Sequence, residues 1–443
     1  MRRWAKRLSL PILMRRPFAL LALFAVAAVA AEPSRPVELT LAQAVQQALV
    51  RHERAAIAAT RRERAFADAR ADLARALPTV DLSASMVRRD HARSDDDALQ
   101  AGGRVEVPLV EAGRWATARA SGRAASAVEA LAVEERRQLA FDTARAYLDL
   151  LAAIRVRAAA EARMRVAGES LRLAEARREA GIIDPTAAAR IELERATARI
   201  GLTRTIQAAV VAREALVQLV PGSGDQAADP EVLVREPPVL LTPAVDPAAE
   251  VAPLVAEAEA TRPDLRALNL AAEARHVAAR EPAWDWAPRL SAFGERVYGN
   301  DAALGRGDDH DAWAVGLEAT WRVWDSGERG ARRRSLLAQA REAALTADGA
   351  RRVLASQLRA ALATLGAAAD ALDQATVQAR IADELQRAIE ARFAQGLATA
   401  LESVDAAAQA FAAAADLARA RVDVRRAELA LAQSLGRWPT EAR

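Results

Sequence analysis

The few side chains in this sequence that could do chemistry are carboxylates. Glu402 and Asp405 stand three apart in a stretch that opens after Gly396, a spacing that puts both on one side of a helix. Paired acids so placed can gather cations. They can equally serve the helix itself, because Thr399-x-x-Glu402 is a capping box and the helix dipole favours acids in a first turn. Two other acidic segments, His91 with Asp95-Asp-Asp97 and Asp308-Asp-His-Asp311, could take a cation at a loop tip, but neither has a defined ligand spacing. Solvated loop tips are the plainer reading, so no metal site is predicted. The four histidines are scattered at 52, 91, 276 and 310. The chain has no cysteine, which removes disulfides, thiolate metal sites and cysteine nucleophiles together. No Gly-rich phosphate loop, nucleophile elbow or convergent acid/base set is present. The sequence predicts no enzyme and no cofactor.

Those carboxylates must be positioned by helices. Ala, Arg, Glu and Leu dominate, aromatics are only 4%, and two tyrosines are few for a compact enzyme with a deep core. This is the composition of long packed helices. The basic balance is misleading about partners. Six cations and no acid lie in residues 1–30, so the formal charge of +3 becomes −3 without that segment. Elsewhere arginines are interspersed with acids and lack interleaved aromatics, which argues against a nucleic-acid partner.

Residues 1–30 have the layout of a secretory signal peptide: a cationic start, an apolar run from Phe18 to Ala31 and a small-residue site at Ala28-Val-Ala30. Arg15-Arg16-Pro-Phe18 weakly resembles a twin-arginine signal, but no cofactor calls for folded export, and the general route is favoured. The run is shorter than the roughly 20 residues a spanning helix needs, and no later apolar segment is long enough either. An exported chain of this kind can enter a membrane only as strands.

The rest reads as one plan written twice. In the first half, residues 31–220, a helix is expected over 41–77 with Thr40 as its N-cap, then strands over 79–88 and 104–109 around a charged loop at 89–103. Helices over 114–180 and 184–220 follow, with Gly181 between them, Asp184 as N-cap and Pro185 at the first helical position. Residues 221–253 are proline-rich and read as a linker. The second half, 254–436, repeats the order: helix 262–282, strands 289–298 and 313–323, helices 327–395 and 399–435, then a tail at 437–443. Gly113 and Gly327, the latter after Asp325, mark where the apolar period changes from two to about 3.6. Glu175-Ala-Arg-x-x-x-Gly181 matches Glu390-Ala-Arg-x-x-x-Gly396, and the spans Gly113–Gly181 and Gly327–Gly396 are 68 and 69 residues. Matched order, motif and spacing together indicate a duplication.

Each long helix would span about 100 Å. Each strand alternates one apolar and one polar face, as with Trp313, Val315, Leu317, Ala319, Trp321 and Val323 against Ala314, Gly316, Glu318, Thr320 and Arg322. Strands near ten residues can cross a bilayer when tilted. Four strands cannot close a barrel, so other copies must pair the open edges, and three copies supply twelve strands. A small soluble hairpin domain capping a coiled coil is the alternative.

In this ordered set of features the chain resembles the TolC-like outer-membrane efflux proteins. The resemblance rests on Leu39-Thr-Leu-Ala-Gln-Ala-Val45, Val323-Trp-Asp-Ser-Gly-Glu-Arg329, Arg262-Pro-Asp264 and the two Glu-Ala-Arg-x-x-x-Gly turns, and it covers nearly all of the chain after the leader. It implies a mainly α fold with a small β part: a long periplasmic α-helical barrel continuous with a twelve-stranded transmembrane β-barrel built by a homotrimer. It implies a passive exit duct in the outer membrane, in contact with its lipid, docked by a periplasmic adaptor and energised by an inner-membrane pump of RND or ABC type. Under it, Glu402 and Asp405 would form a ring of six carboxylates at a periplasmic constriction, with Phe393 near the gate. Gly181, Asp184, Gly396 and Thr399 would mark the turns where an adaptor docks. Ala187 and Ala398 depart from the family, which has members with an acid and a gating arginine there, so any polar latch must differ or be absent. The rival reading is a periplasmic coiled-coil tether without a pore.

Overall fold

The computed structural model describes residues 39–91, 94–221, 246, 248–301 and 306–440. The expected leader and most of the expected linker lie outside them. Of the two acidic loop segments, the side chains of His91, Asp95–Asp97 and Asp308–His310 also lie outside the described ones.

The chain opens with α1 (Leu41–Arg51), capped by Thr40 in a full capping box: the Thr40 N–H donates to Gln43 Oε1 at 3.0 Å and the Gln43 N–H to Thr40 Oγ1 at 3.3 Å. The single helix expected over 41–77 is broken here. His52 is extended, and its Nδ1 accepts the Arg54 N–H at 3.0 Å, starting α2 (Glu53–Ala74) as a fresh N-cap. Histidine is not among the usual capping residues, which hid the break.

Two strands follow, β1 (Thr79–His91) and β2 (Ser94–Val110). The loop expected over 89–103 is instead largely strand, with the ladder running out to His91 opposite Ser94. Its charged and small residues conceal the pattern, but the backbone gains a hydrogen-bonded partner along the whole length. Next come α3 (Ala112–Glu179) and α4 (Pro185–Leu219). Within and after the expected linker lies α5 (Val251–Thr261), which the proline density obscured: Pro253 sits in its first turn, where a missing N–H costs nothing. The helix expected over 262–282 is α6 (Pro263–Ala278), capped at Arg262, plus a short α7 (Glu281–Trp284). Then β3 (Arg289–Asp301) and β4 (Arg306–Thr320) lead into α8 (Glu328–Ala394) and α9 (Ala400–Ser434). The fourth strand stops at Thr320 rather than Val323 because Thr320 pairs with Arg289, the first residue of β3, and no partner remains beyond it.

The strands form one antiparallel sheet in the order β1-β2-β3-β4. Its register puts Val80, Leu82, Val105, Leu290, Val315 and Leu317 on one face and Asp81, Arg104, Glu106, Glu295 and Glu318 on the other. The apolar face is open, with Leu82 86% and Val315 77% exposed. On the polar face Arg104 pairs with Glu295 at 3.3 Å and lies over the Phe293 ring at 4.8 Å. The strands β1 and β4 are free edges.

The long helices pack side by side as a wall, with α1 against α3 and α5 against α8. Near the sheet its order is α8, α6, α3, α2, and toward the far turns it is α8, α9, α3, α4. So α8 flanks one side beneath β4, and α2 with α4 flank the other beneath β1. Among the described residues no helix is long and apolar enough to cross a membrane.

The wall is knotted where α9 ends. Arg137 of α3 is 1% exposed, grips Glu134 with Nε and Nη2 at 2.7 and 2.9 Å, and donates Nη1 to the carbonyls of Gln433 and Arg437 at 2.9 and 3.3 Å. Thr261 Oγ1 donates to the Leu435 carbonyl at 2.5 Å, and Arg437 pairs with Glu257 at 2.7 Å. Around this knot sit the larger apolar residues, Phe141, Tyr147, Leu148, Leu354 and Leu358, all fully buried. Removing one partner of a buried, hydrogen-bonded pair leaves the other charge uncompensated. Arg137→Ala therefore lowers stability by about 3–5 kcal/mol. Denaturant unfolding followed by circular dichroism reads this; a loss below about 1 kcal/mol contradicts it.

Helix turns and strand–helix junction as the candidate functional site

Both far turns are built the same way. The helix α3 ends in a Schellman motif in which the Ile182 N–H donates to the Arg177 carbonyl at 2.8 Å and the Gly181 N–H to Arg178 at 3.0 Å. The helix α8 ends likewise, with Leu397 donating to Arg392 at 2.8 Å and Gly396 to Phe393 at 3.0 Å. Gly181 and Gly396 have φ of 74° and 78°, the left-handed conformation the motif needs and a Cβ resists. Each chain then re-enters a helix through a side-chain cap. Asp184 accepts the Thr186 N–H at 3.2 Å and its hydroxyl at 2.7 Å. Thr399 and Glu402 cap each other: the Glu402 N–H donates to Thr399 Oγ1 at 3.2 Å, and the Thr399 N–H to Glu402 Oε2 at 2.7 Å.

The two turns are brought together by an apolar cluster. Leu171, Ala174 and Ile191 from the first hairpin meet Phe393 and Ala400 from the second, with Ile183, Ala187, Ala398 and Val404 packed around them. Phe393 is therefore buried between hairpins, and Ala187 and Ala398 fill the same contact with methyl groups. A polar strap does cross here, and sequence reasoning missed it. Arg177 stacks on the Phe393 ring at 5.0 Å, donates Nη1 to the Phe393 carbonyl at 2.6 Å, and gives Nη2 to that of Ala394. A guanidinium is well suited to the orphan carbonyls at a helix C-terminus, where the dipole also favours a cation. The signal was present in the repeated Glu-Ala-Arg motif, yet nothing in a linear sequence tells that Arg177 reaches the other hairpin.

Glu402 and Asp405 are both exposed on α9, while Ser403, Ala406 and Ala407 are buried on its opposite side. Asp405 makes no hydrogen bond or ion pair among the described residues, whereas Glu402 is engaged as a cap. Hydrogen bonds from the Thr399 N–H, then its hydroxyl, hold the Glu402 carboxyl below its ordinary value. Thr186 does the same for Asp184, its hydroxyl first.

At the other end of the wall the two strand–helix junctions differ. Gly327 is the N-cap of α8 with φ of 89°. Asp325 accepts the N–H groups of Gly327 and Arg329 at 3.1 and 3.0 Å and pairs with the Arg329 guanidinium at 2.5 Å. The Arg329 N–H is the first cause holding the Asp325 carboxyl low. Arg329 also stacks on Trp286 at 4.2 Å and donates to the Asp285 carbonyl at 2.7 Å. Gly113, by contrast, already lies inside α3, whose N-cap is Glu111. Trp284, Trp286, Trp321 and Trp324 are all exposed around this level.

A profile of the outer membrane efflux protein family matches residues 44–221 and 254–437, the two halves of the duplicated plan. The chain belongs to that family. Its members are channel proteins of the outer membrane with a periplasmic helical part, and the wall of long helices beneath the sheet is that part. No curated protein matches by sequence. Among solved structures, the CmeC outer membrane channel of Campylobacter jejuni is similar at 17% identity and a TM-score of 0.78, over 89% of this chain and 85% of that one. The outer membrane protein VceC of Vibrio cholerae is 19% identical with a TM-score of 0.77, over 90% and 96%. The outer-membrane channel OprN is 22% identical with a TM-score of 0.75, over 89% of each chain. The outer membrane efflux fold is thus shared along nearly the whole length.

Two outcomes follow from the turn geometry. Because donors to Glu402 favour its charged form, the stability it lends α9 is complete above the ordinary value of 4.5 and is lost as pH falls through the lower folded value. Amide exchange in the first turn of α9, corrected for intrinsic rates, stays slow down to pH 4.5 and accelerates below it; Glu402→Ala is fast throughout. Arg177→Ala removes charged hydrogen bonds worth about 1.5 kcal/mol, so the Gly396 and Leu397 amides exchange about tenfold faster. Unchanged exchange would show that the strap does not hold the turn.

Proposed function

We propose that three copies of this chain close into one continuous duct that carries cargo passively out of the periplasm. Residues 1–30 act as its export leader, and 31–220 and 254–436 as its two repeats. The observation that carries the reading is the pair of open flanks. Strands β1 and β4 are unpaired edges of a sheet whose apolar face is exposed, and α8 and α4 are the free flanks of the wall below. In lipid such strand edges must be paired, and ring closure pairs them all. Three copies give twelve strands, within the range of closed membrane barrels. The exposed tryptophans at the junction suit the inner membrane–water boundary, where indole rings concentrate. A pore-free tether would have no use for a sheet exposing Val80, Leu82, Val315 and Leu317.

The duct narrows at the far turns. There Glu402 and Asp405, repeated by the three-fold axis, form a ring of six carboxylates that favours cations, with Glu402 also serving as a cap. Arg177 stands in for the polar latch that Ala187 and Ala398 cannot provide. A periplasmic adaptor engages the turns at Gly181, Asp184, Gly396 and Thr399, and an inner-membrane pump of RND or ABC type supplies the energy. The chain itself catalyses nothing.

Single-channel recording tests the constriction. Glu402→Ala with Asp405→Ala raises conductance severalfold and weakens block by multivalent cations. Unchanged block would leave the pair with only its capping role.

A further inference from the structure

The face of the sheet opposite its apolar one would line the barrel lumen, and its charges can be read row by row. Residues directly opposed across antiparallel strands share a face. One row runs Thr79, Glu106, Phe293, Gly316, and the next runs Asp81, Arg104, Glu295, Ala314. Glu318 lies one row nearer the helices, opposite Ser291. The next row outward, Ser83, Gly102, Val297, Ala312, carries no charge.

The one guanidinium in these rows is held in place. Phe293 fills the space a side chain would need at Gly316, where a Cβ would come within 2.9 Å of the ring. Arg104 in turn lies over that ring at 4.8 Å. It reaches Glu295 at 3.3 Å and Glu318 at 3.5 Å, tying β2 to β3 and β4. Asp81 and Glu106 make no hydrogen bond or ion pair among the described residues. Arg289, at the foot of the same face, is matched by Asp285 at 3.0 Å. Arg104 is therefore outnumbered by the carboxylates around it, and those of Asp81 and Glu106 are uncompensated.

We propose that this belt makes the barrel lumen a charge filter separate from the far turns, passing cations ahead of anions, with Arg104 setting its strength. The proposal rests on the three-copy reading above and names the class of cargo the duct favours. A cleft lined by one sign of charge with low-dielectric walls focuses its field and enriches the opposite ion. Ring closure repeats the negative surplus three times around the lumen, where side chains tune the selectivity of membrane barrels. Arg104 reduces that surplus by one charge in each copy, so its loss strengthens the filter. The preference fades as salt rises, because exposed charges are screened.

Reversal potentials across a planar bilayer bearing a salt gradient test the filter, on a Glu402→Ala with Asp405→Ala background that removes the far-turn carboxylates. This background still prefers cations. Adding Asp81→Asn with Glu106→Gln lowers the cation-to-anion permeability ratio by roughly twofold, and adding Arg104→Gln instead raises it by a similar factor. Asp81 and Glu106 have no partner to lose, so their arm decides the matter even where Arg104→Gln fails to assemble. A background without cation preference, or a ratio that neither set of substitutions moves, overturns the filter and leaves the duct standing. A wild-type protein that passes no current overturns the duct reading itself, and the filter with it.

Discussion

A sheet edge cannot be left open in hydrocarbon. Each unpaired backbone N–H or C=O there costs several kcal/mol, and this chain presents two whole edges, β1 and β4. Its apolar sheet face makes lipid the natural surroundings, and four strands are too few to curl shut. Those facts together support the closed ring of copies proposed above. The proposed ring would account for the rest: a wall of helices beneath the sheet, flanks for a neighbour, and turns that would converge near its axis.

The helical wall is suited to this by composition. Alanine at most buried helix positions lets helices of nearly seventy residues lie close without deep interdigitation, and bulky side chains are concentrated where the wall needs fixing. One such place is the knot of Arg137, Glu134, Thr261 and Arg437, which ties the end of α9 to α3 and α5. The other is the cluster around Phe393, where Arg177 straps one hairpin to the other. Between them Arg163 of α3 pairs with Glu194 of α4 at 2.7 Å and lies over the Phe411 ring of α9 at 5.0 Å.

Much of this was legible in the sequence because the long helices and their punctuation obey local rules. Gly181 and Gly396 with Asp184 and Thr399 announce the turns through backbone conformation and capping chemistry, which nearby residues settle. The capping role of Glu402 was legible for the same reason. Strand lengths were not, since residues 89–91, 94–103 and 306–312 lack an apolar alternation and acquire strand geometry only from pairing. His52 broke a helix with an unusual cap, and Pro253 disguised the start of one. Arg177 belongs to the repeated Glu-Ala-Arg motif, but its partner Phe393 lies 216 residues away, and only the packed turns reveal it.

The mass of the wild-type protein, extracted from outer membranes in mild detergent and measured by light scattering corrected for bound detergent, tests the central claim most directly. The 443-residue chain weighs 47.3 kDa. Closure of the open edges predicts a stable particle of three chains. A particle of one chain, with β1 and β4 left unpaired, would contradict the account.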